Sequence, residues 1–354
     1  MRRPNSSRRS SSQSARGALT QRGPCNVHTP RGWRIGQRRL CLAAVSSRDF
    51  EAKRFRAIFR RVHADHPRCL ADEWLMEPCR LRGGELAPRP IVWSRRNGPW
   101  QRVAVLWVGA APGNAGGMGS GAHGAHGTRI PFGGDVAGAN LDALLGSVGL
   151  DRNQTFITAA LNQLPAKGGG EPSPAELRAP VGAYSTSTHL LRDTILAAGP
   201  RLIVALGNVA ARSIFAAVRV AEQDGRFPSL AALRSRGLER GVAHAFAAVL
   251  GADSPFEHEW AANWGVGNLP EVLWLTHPSA QNMSPFAADG TLFHLRMLEA
   301  RDALRSAFRD RLRHKIPRNR PKLPETGIYA LPEWRELIAP RHARLDRLWR
   351  ERGI

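Results

Sequence analysis

Three side chains in this sequence stand where chemistry could be done, each beside the end of an apolar run. Asp135 is the only acid between the run at 103–108 (VAVLWV) and the helical pattern that starts at 136. A carboxylate there can offset positive charge developing in a transition state, and the same position also suits a helix N-cap. His277 ends the run 272–276 (VLWLT) and precedes Pro278-Ser279. A neutral imidazole so placed can donate a hydrogen bond to an oxygen on which negative charge develops. Phe132 follows Pro131 in a long Gly-rich loop, so it either stacks on a planar group or packs into the core.

Other groupings carry weaker signals. Gly119-Ser120-Gly121-Ala122-His123-Gly124 spells G-x-G-x-x-G, but it begins about ten residues after the apolar run and opens no helix, unlike a dinucleotide fingerprint. His123-x-x-His126, and His63-x-x-His66-x-x-Cys69 with Cys79, lack the compact four-ligand spacing of a zinc site. No G-x-x-x-x-G-K-[ST] is present, and Ser120 has no G-x-S-x-G frame, which argues against a P-loop nucleotidase and a hydrolase elbow.

The elements that must hold these residues follow from periodicity. Residues 103–108, 155–161, 202–206 (LIVAL) and 272–276 are short apolar runs, as buried parallel strands require. Helical patterns cover 49–63, 136–148, 176–198, 208–218 and 290–313. Gly199-Pro200 ends the third of these, and Asn208 is expected to cap the fourth. Residues 220–270 read as an insertion with short helices around 229–250. Alternating strands and helices predict an α/β fold, a three-layer αβα sandwich on a four-stranded, mostly parallel sheet. In such sheets the active site lies beyond the carboxyl ends of the strands. The unusual loops, 109–135, 159–175 and 277–289, all fall there.

Composition narrows the classes further. The chain has 354 residues, 42% apolar, with 35 Gly and 25 Pro, which describes a loop-rich globular protein of one large or two modest domains. No apolar run reaches the roughly 18 residues of a membrane span, so no membrane role is expected. Four widely spaced Cys do not make a secreted disulfide framework. The net charge of +22 is uneven: residues 1–48 carry eleven Arg and no acid, 301–354 carry +8, and 101–300 carry −1. The expected division is therefore a disordered basic Ser/Arg-rich tail at 1–48 and a helical and loop region at 49–100 packed on the core. A core domain follows at 101–300, and then a basic helical extension at 301–354. A cytoplasmic or nucleoid protein fits this pattern; an organelle presequence or a misplaced translation start has the same composition as 1–48.

Several of these pieces together resemble one family. Gly109-Ala110-Ala111-Pro112-Gly113 is similar to the first motif of the uracil-DNA glycosylase superfamily. His123-Gly124-Ala125, Thr128, Pro131-Phe132, Gly134-Asp135 and Gly138 track a stretch of its family 5 (B-type) members. Thr276-His277-Pro278-Ser279-x-x-Asn282 resembles the second motif in its family 5 form. Thr158, Pro172-x-Pro174-x-Glu176 and Pro200…Gly207-x-x-Ala210 match the strand–helix pattern between them. The resemblance spans about 100–300. Three departures stand out: the extra Asn114–Ala122, the inserted Lys167-Gly168-Gly169-Gly170, and Gln163 with Ser185 and Ser187 where iron–sulfur members carry cluster Cys.

The resemblance implies a DNA glycosylase that hydrolyses the N-glycosidic bond of uracil and of other deaminated bases, with no metal or nucleotide cofactor and acting as a monomer. Asp135 and His277 would be the catalytic pair. Phe132 would stack on a flipped base, with Gly109–Gly113 and Asn162 lining the pocket. Pro278, Ser279 and Asn282 would meet DNA phosphates, and Met283 and Phe286 would wedge into the stack. The alternative from another class is an inactive member that only binds nucleic acid.

Overall fold

A strand hidden on both faces needs apolar side chains at every position, and the runs VLWVG, FITA and LIVAL supply them. The computed structural model describes residues 47–62, 64, 104–112, 130–133, 135–162, 165, 171–219, 227–248, 250, 254–279, 291–319 and 322–351. In chain order the elements are α1 Ser47–Val62, β1 Val105–Gly109, α2 Val136–Ser147, β2 Phe156–Ala159, α3 Pro174–Arg178, α4 Ser187–Ala198 and β3 Leu202–Leu206. Then come α5 Asn208–Val218, α6 Leu230–Ser235, β4 Ala243–Ala245, α7 Pro255–Trp264, β5 Glu271–Leu275, α8 Thr291–Ser306 and α9 Ala339–Glu351.

The sheet has the order β2-β1-β3-β5-β4. Its first four strands are parallel, with Gly109 opposite Ala159 and Leu206 opposite Leu275, so their carboxyl ends share one edge. Successive side chains point to opposite faces. Val105 and Trp107 of β1 enter one core with Leu141, Leu144 and Leu145 of α2 and Met297 and Leu304 of α8. Leu106 and Val108 enter the other, with Phe55 and Ile58 of α1, Leu191 and Ile195 of α4 and Ile214 of α5. Full burial of such an aliphatic side chain contributes about 1.5–3 kcal/mol. The three-layer αβα sandwich expected from the sequence is the observed architecture.

The details differ at three places. Among the described residues the sheet has five strands rather than four: Ala243–Ala245, inside the region read as an insertion, pairs antiparallel with β5, Ala243 opposite Leu273. Three residues with half-buried and exposed faces carry no strand signature, so only the neighbouring edge reveals them. The helix expected over 176–198 is two helices. Pro180 and Gly182 (φ +58°) separate them, and a Cβ at Gly182 would come within 2.1 Å of the Val62 carbonyl at the end of α1. Asn208 is the first residue of α5 instead of its cap; that place is taken by Gly207, and the Asn208 amide oxygen accepts from Arg240.

At the carboxyl-terminal end, α8 runs unbroken through residue 300 and continues as a π turn over Ala307–Arg311. Ile328, Tyr329, Leu331, Trp334 and Ile338 close around Ile130, forming a small third core beside the loop that leads into α2.

Candidate active site at the carboxyl edge of the sheet

Phe132 is the residue around which this edge is built. Its ring lies against the Cα of Gly109, the last residue of β1. A Cβ there would be 2.8 Å from the ring. Its carbonyl lies against the first turn of α2, where a Cβ at Gly138 would be 1.7 Å from the oxygen. Two glycines of the motifs are thereby explained as room for one phenylalanine. Phe132 itself has φ +54°, in the left-handed region that costs a non-glycine residue about 1–2 kcal/mol.

His277 follows β5 and faces the same ring, the two centroids 5.9 Å apart and the planes inclined at 36°. Gly207 makes space for it: with φ +92°, its missing Cβ would sit 2.9 Å from the His277 Cβ. The Ser279 N–H donates to His277 Nδ1 at 3.2 Å. A ring nitrogen that accepts a backbone N–H carries no proton, so the neutral imidazole bears its hydrogen on Nε2. Burial pushes the imidazole pKa down to about 4, and the Asp135 carboxylate, which pulls the other way, offsets only part of this. His277 is therefore an uncharged, fixed-tautomer donor at neutral pH.

Asp135 caps α2. Its Oδ1 accepts the Gly138 N–H at 2.8 Å, with extended backbone (φ −125°, ψ 176°). The cap places its carboxyl close enough to His277 for its charge to be felt there. The expected pair is thus brought to one edge, together with Phe132, from segments more than 140 residues apart in sequence.

The remaining expected residues divide. Gly109 ends β1, and Ala110, Ala111 and the buried Pro112 follow it; the Ala110 carbonyl accepts from the Leu161 N–H at 2.9 Å, extending the β1–β2 pairing into the loops. Asn162, the proposed base reader, is 2% exposed, and its Nδ2 donates to the Ala159 carbonyl at 3.1 Å. Pro278 is buried and Ser279 half-buried beside His277. Gly113, Asn282, Met283 and Phe286 lie outside the described residues, as do Gln163, all four Cys and the histidine pairs 63/66 and 123/126. Ser187 opens α4 and is fully buried, while Ser185 is exposed.

Two supporting residues escaped the sequence reading. Asn140, on the inner face of α2, donates from Nδ2 to the Pro278 carbonyl at 2.6 Å and so ties the His277 loop to the helix that Asp135 caps. Its burial is complete, and an Asn four residues into an apolar helix was the available signal. Arg152, after α2, bonds the carbonyls of Pro131, Phe132 and Gly138. No local pattern announces that role.

Among known proteins, the model of the uracil DNA glycosylase superfamily matches residues 97–323, nearly two-thirds of the chain. No curated protein matches it. The match begins before β1, runs past the π turn that follows α8, and takes in every strand and every residue placed at this edge. The chain belongs to the uracil DNA glycosylase superfamily.

Proposed function

We propose that the protein is a monofunctional DNA glycosylase of the family 5 (B-type) pattern, excising uracil and other deaminated bases from DNA. The observation that carries this reading is the neutral His277, its Nε2–H fixed by the Ser279 N–H, facing Phe132 beside the Asp135 carboxylate.

Excision breaks the bond between the sugar C1′ and the base nitrogen. The electron pair leaves with the base, water adds to C1′ as the sugar passes through an oxocarbenium-like state, and the proton that water gives up passes through solvent to neutralise the base anion. A flipped base stacked on Phe132 would have a carbonyl oxygen within reach of the His277 Nε2–H, which would stabilise the charge arriving there. Asp135 would offset the positive charge on the sugar or orient the water. The Ser279 hydroxyl and the Gly-rich loop after β1 would hold backbone phosphates, and Met283 and Phe286 would fill the gap left by the flipped base. By resemblance to the family, glycine at 113, where the strictest uracil enzymes carry a bulky aromatic, implies a roomier pocket and a broader range of deaminated bases. This chemistry draws on no metal or nucleotide cofactor.

The deciding experiment is base release from single- and double-stranded oligonucleotides carrying one uracil. Release above an uncatalysed control supports the proposal. DNA that is bound but left intact across pH and salt would make the chain a binding member instead.

Affinity would come from outside this edge. Residues 101–300 are nearly neutral, whereas 1–48 carry +11. Deleting 1–48 should flatten the dependence of DNA affinity on salt, each lost phosphate contact removing about 0.9 from the log–log slope. Single-turnover excision at saturating DNA should stay within about twofold of the full chain. An unchanged slope would assign the grip to the carboxyl-terminal segment, where Arg344 and Arg347 are exposed on α9.

A further inference from the structure

Arg152 is 0% exposed although it carries a charge, which is costly to bury unless it is paired and hydrogen-bonded. Its Nε donates to Asp142 Oδ1 at 2.6 Å. Its Nη1 bonds the Pro131 carbonyl, and its Nη2 bonds the carbonyls of Phe132 at 2.8 Å and Gly138 at 3.3 Å. The planar guanidinium can serve several acceptors in one fixed fork, which an ammonium cannot. All three carbonyls surround the left-handed turn at Phe132. A strained backbone persists only where its surroundings over-determine it, and these bonds supply that constraint.

The support continues into the carboxyl-terminal segment. His342 Nδ1 lies 2.5 Å from Asp142 Oδ2. Burial alone would raise the Asp142 carboxyl, but Arg152 and His342 beside it hold it below the usual carboxylate range. The Tyr329 hydroxyl accepts the Arg152 backbone N–H at 2.8 Å, and the Trp334 ring lies 5.6 Å from the guanidinium and perpendicular to His342. Ile130, two residues before Phe132, is packed by the same segment.

We propose that Arg152 is a positioning residue for base excision, holding the Phe132 ring on Gly109 and opposite His277, and that residues 327–342 complete the site by clamping Arg152 through Asp142 and Tyr329. This rests on Phe132 being the base-stacking group. A misplacement of about 1 Å can cost roughly 10²-fold in rate. Arg152→Lys should therefore lower single-turnover excision by roughly 10²-fold while DNA affinity stays within about threefold. His342→Gln, which leaves Arg152 paired with Asp142, should lose roughly tenfold or less.

A double-mutant cycle separates positioning from plain stability. In a Phe132→Ala background, Arg152→Lys and His342→Gln should cause almost no further loss, because the ring they hold is gone. Losses that multiply in the double variants would overturn the proposal. Should Arg152→Lys fail to fold, the His342→Gln arm carries the same comparison. Should the parent release no base, the excision reading fails separately, and crystal structures decide the positioning claim. Phe132 leaving φ near +54° in the variants supports it, and Phe132 unmoved on Gly109 overturns it.

Discussion

His277→Ala should lower the single-turnover rate of uracil release by roughly 10²–10³-fold, the usual loss on removing one preorganised donor to a developing oxyanion, while DNA affinity stays within a few-fold. The expectation rests on protonation state. An imidazolium would present hydrogen on Nδ1 toward the Ser279 N–H, two donors face to face, so burial and this contact together keep the ring neutral. The rate should then show no step from this histidine between pH 5 and 8.

The same shift makes a stability statement. The imidazole pKa is about 4 in the folded chain against an ordinary 6.5, so the unfolded chain binds the extra proton. Stability is fully present above pH 6.5 and falls as pH drops toward 4, with a limiting slope of roughly 1.4 kcal/mol per pH unit. Urea unfolding of parent and His277→Ala at pH 7.5, 5.5 and 4.5 tests it: the difference in stability between them should move in favour of the variant as pH falls. A constant difference would mean that the imidazole is not buried as described, and an undiminished rate would remove His277 from the chemistry.

The second large effect is expected at Asp135, where cap and catalyst coincide. Asparagine caps helices about as well as aspartate, so Asp135→Asn should keep the bond from the Gly138 N–H and change stability by no more than about 0.5 kcal/mol. It removes the charge, however, and the single-turnover rate should fall by roughly 10²-fold or more. Asp135→Ala should lose both, adding about 0.5–2 kcal/mol of lost capping. Thermal unfolding and base release on the two variants separate the roles. A full rate with Asp135→Asn would leave the residue a helix cap alone.

Much of this edge was legible in the residues. Trp107, Val204 and Leu273 sit in runs whose composition permits little but a buried strand, and Gly199 closes α4 in the left-handed conformation expected of it. Asp135 was readable as a cap because an N-cap is decided within four residues. The break at Pro180 and Gly182 was also local and could have been read from those two residues.

Long-range pairing was not legible. Strand β4 exists because β5 offers it an edge. Asn162, at the end of β2 as expected, turned its amide back to its own strand. Nothing local marks Arg152, whose acceptors come from 131, 132, 138 and 142, with Tyr329 and His342 behind them. The residues after 300 read only as a basic helical extension, and their contacts were not legible: His342, Trp334 and Trp349 are buried there, with the arginines of α9 on the outer face.

By itself, then, the sequence determined the four parallel strands and most of the helices between them, which edge of the sheet bears the unusual loops, and that Asp135, Phe132 and His277 belong to them. Those properties depend on neighbours within a turn or two, where propensity, periodicity and capping act. Only the tertiary structure decided the protonation state of His277, the left-handed Phe132 and the guanidinium that spans its carbonyls. Each of these depends on burial and on partners brought together from far along the chain, and a residue's type does not say what will surround it.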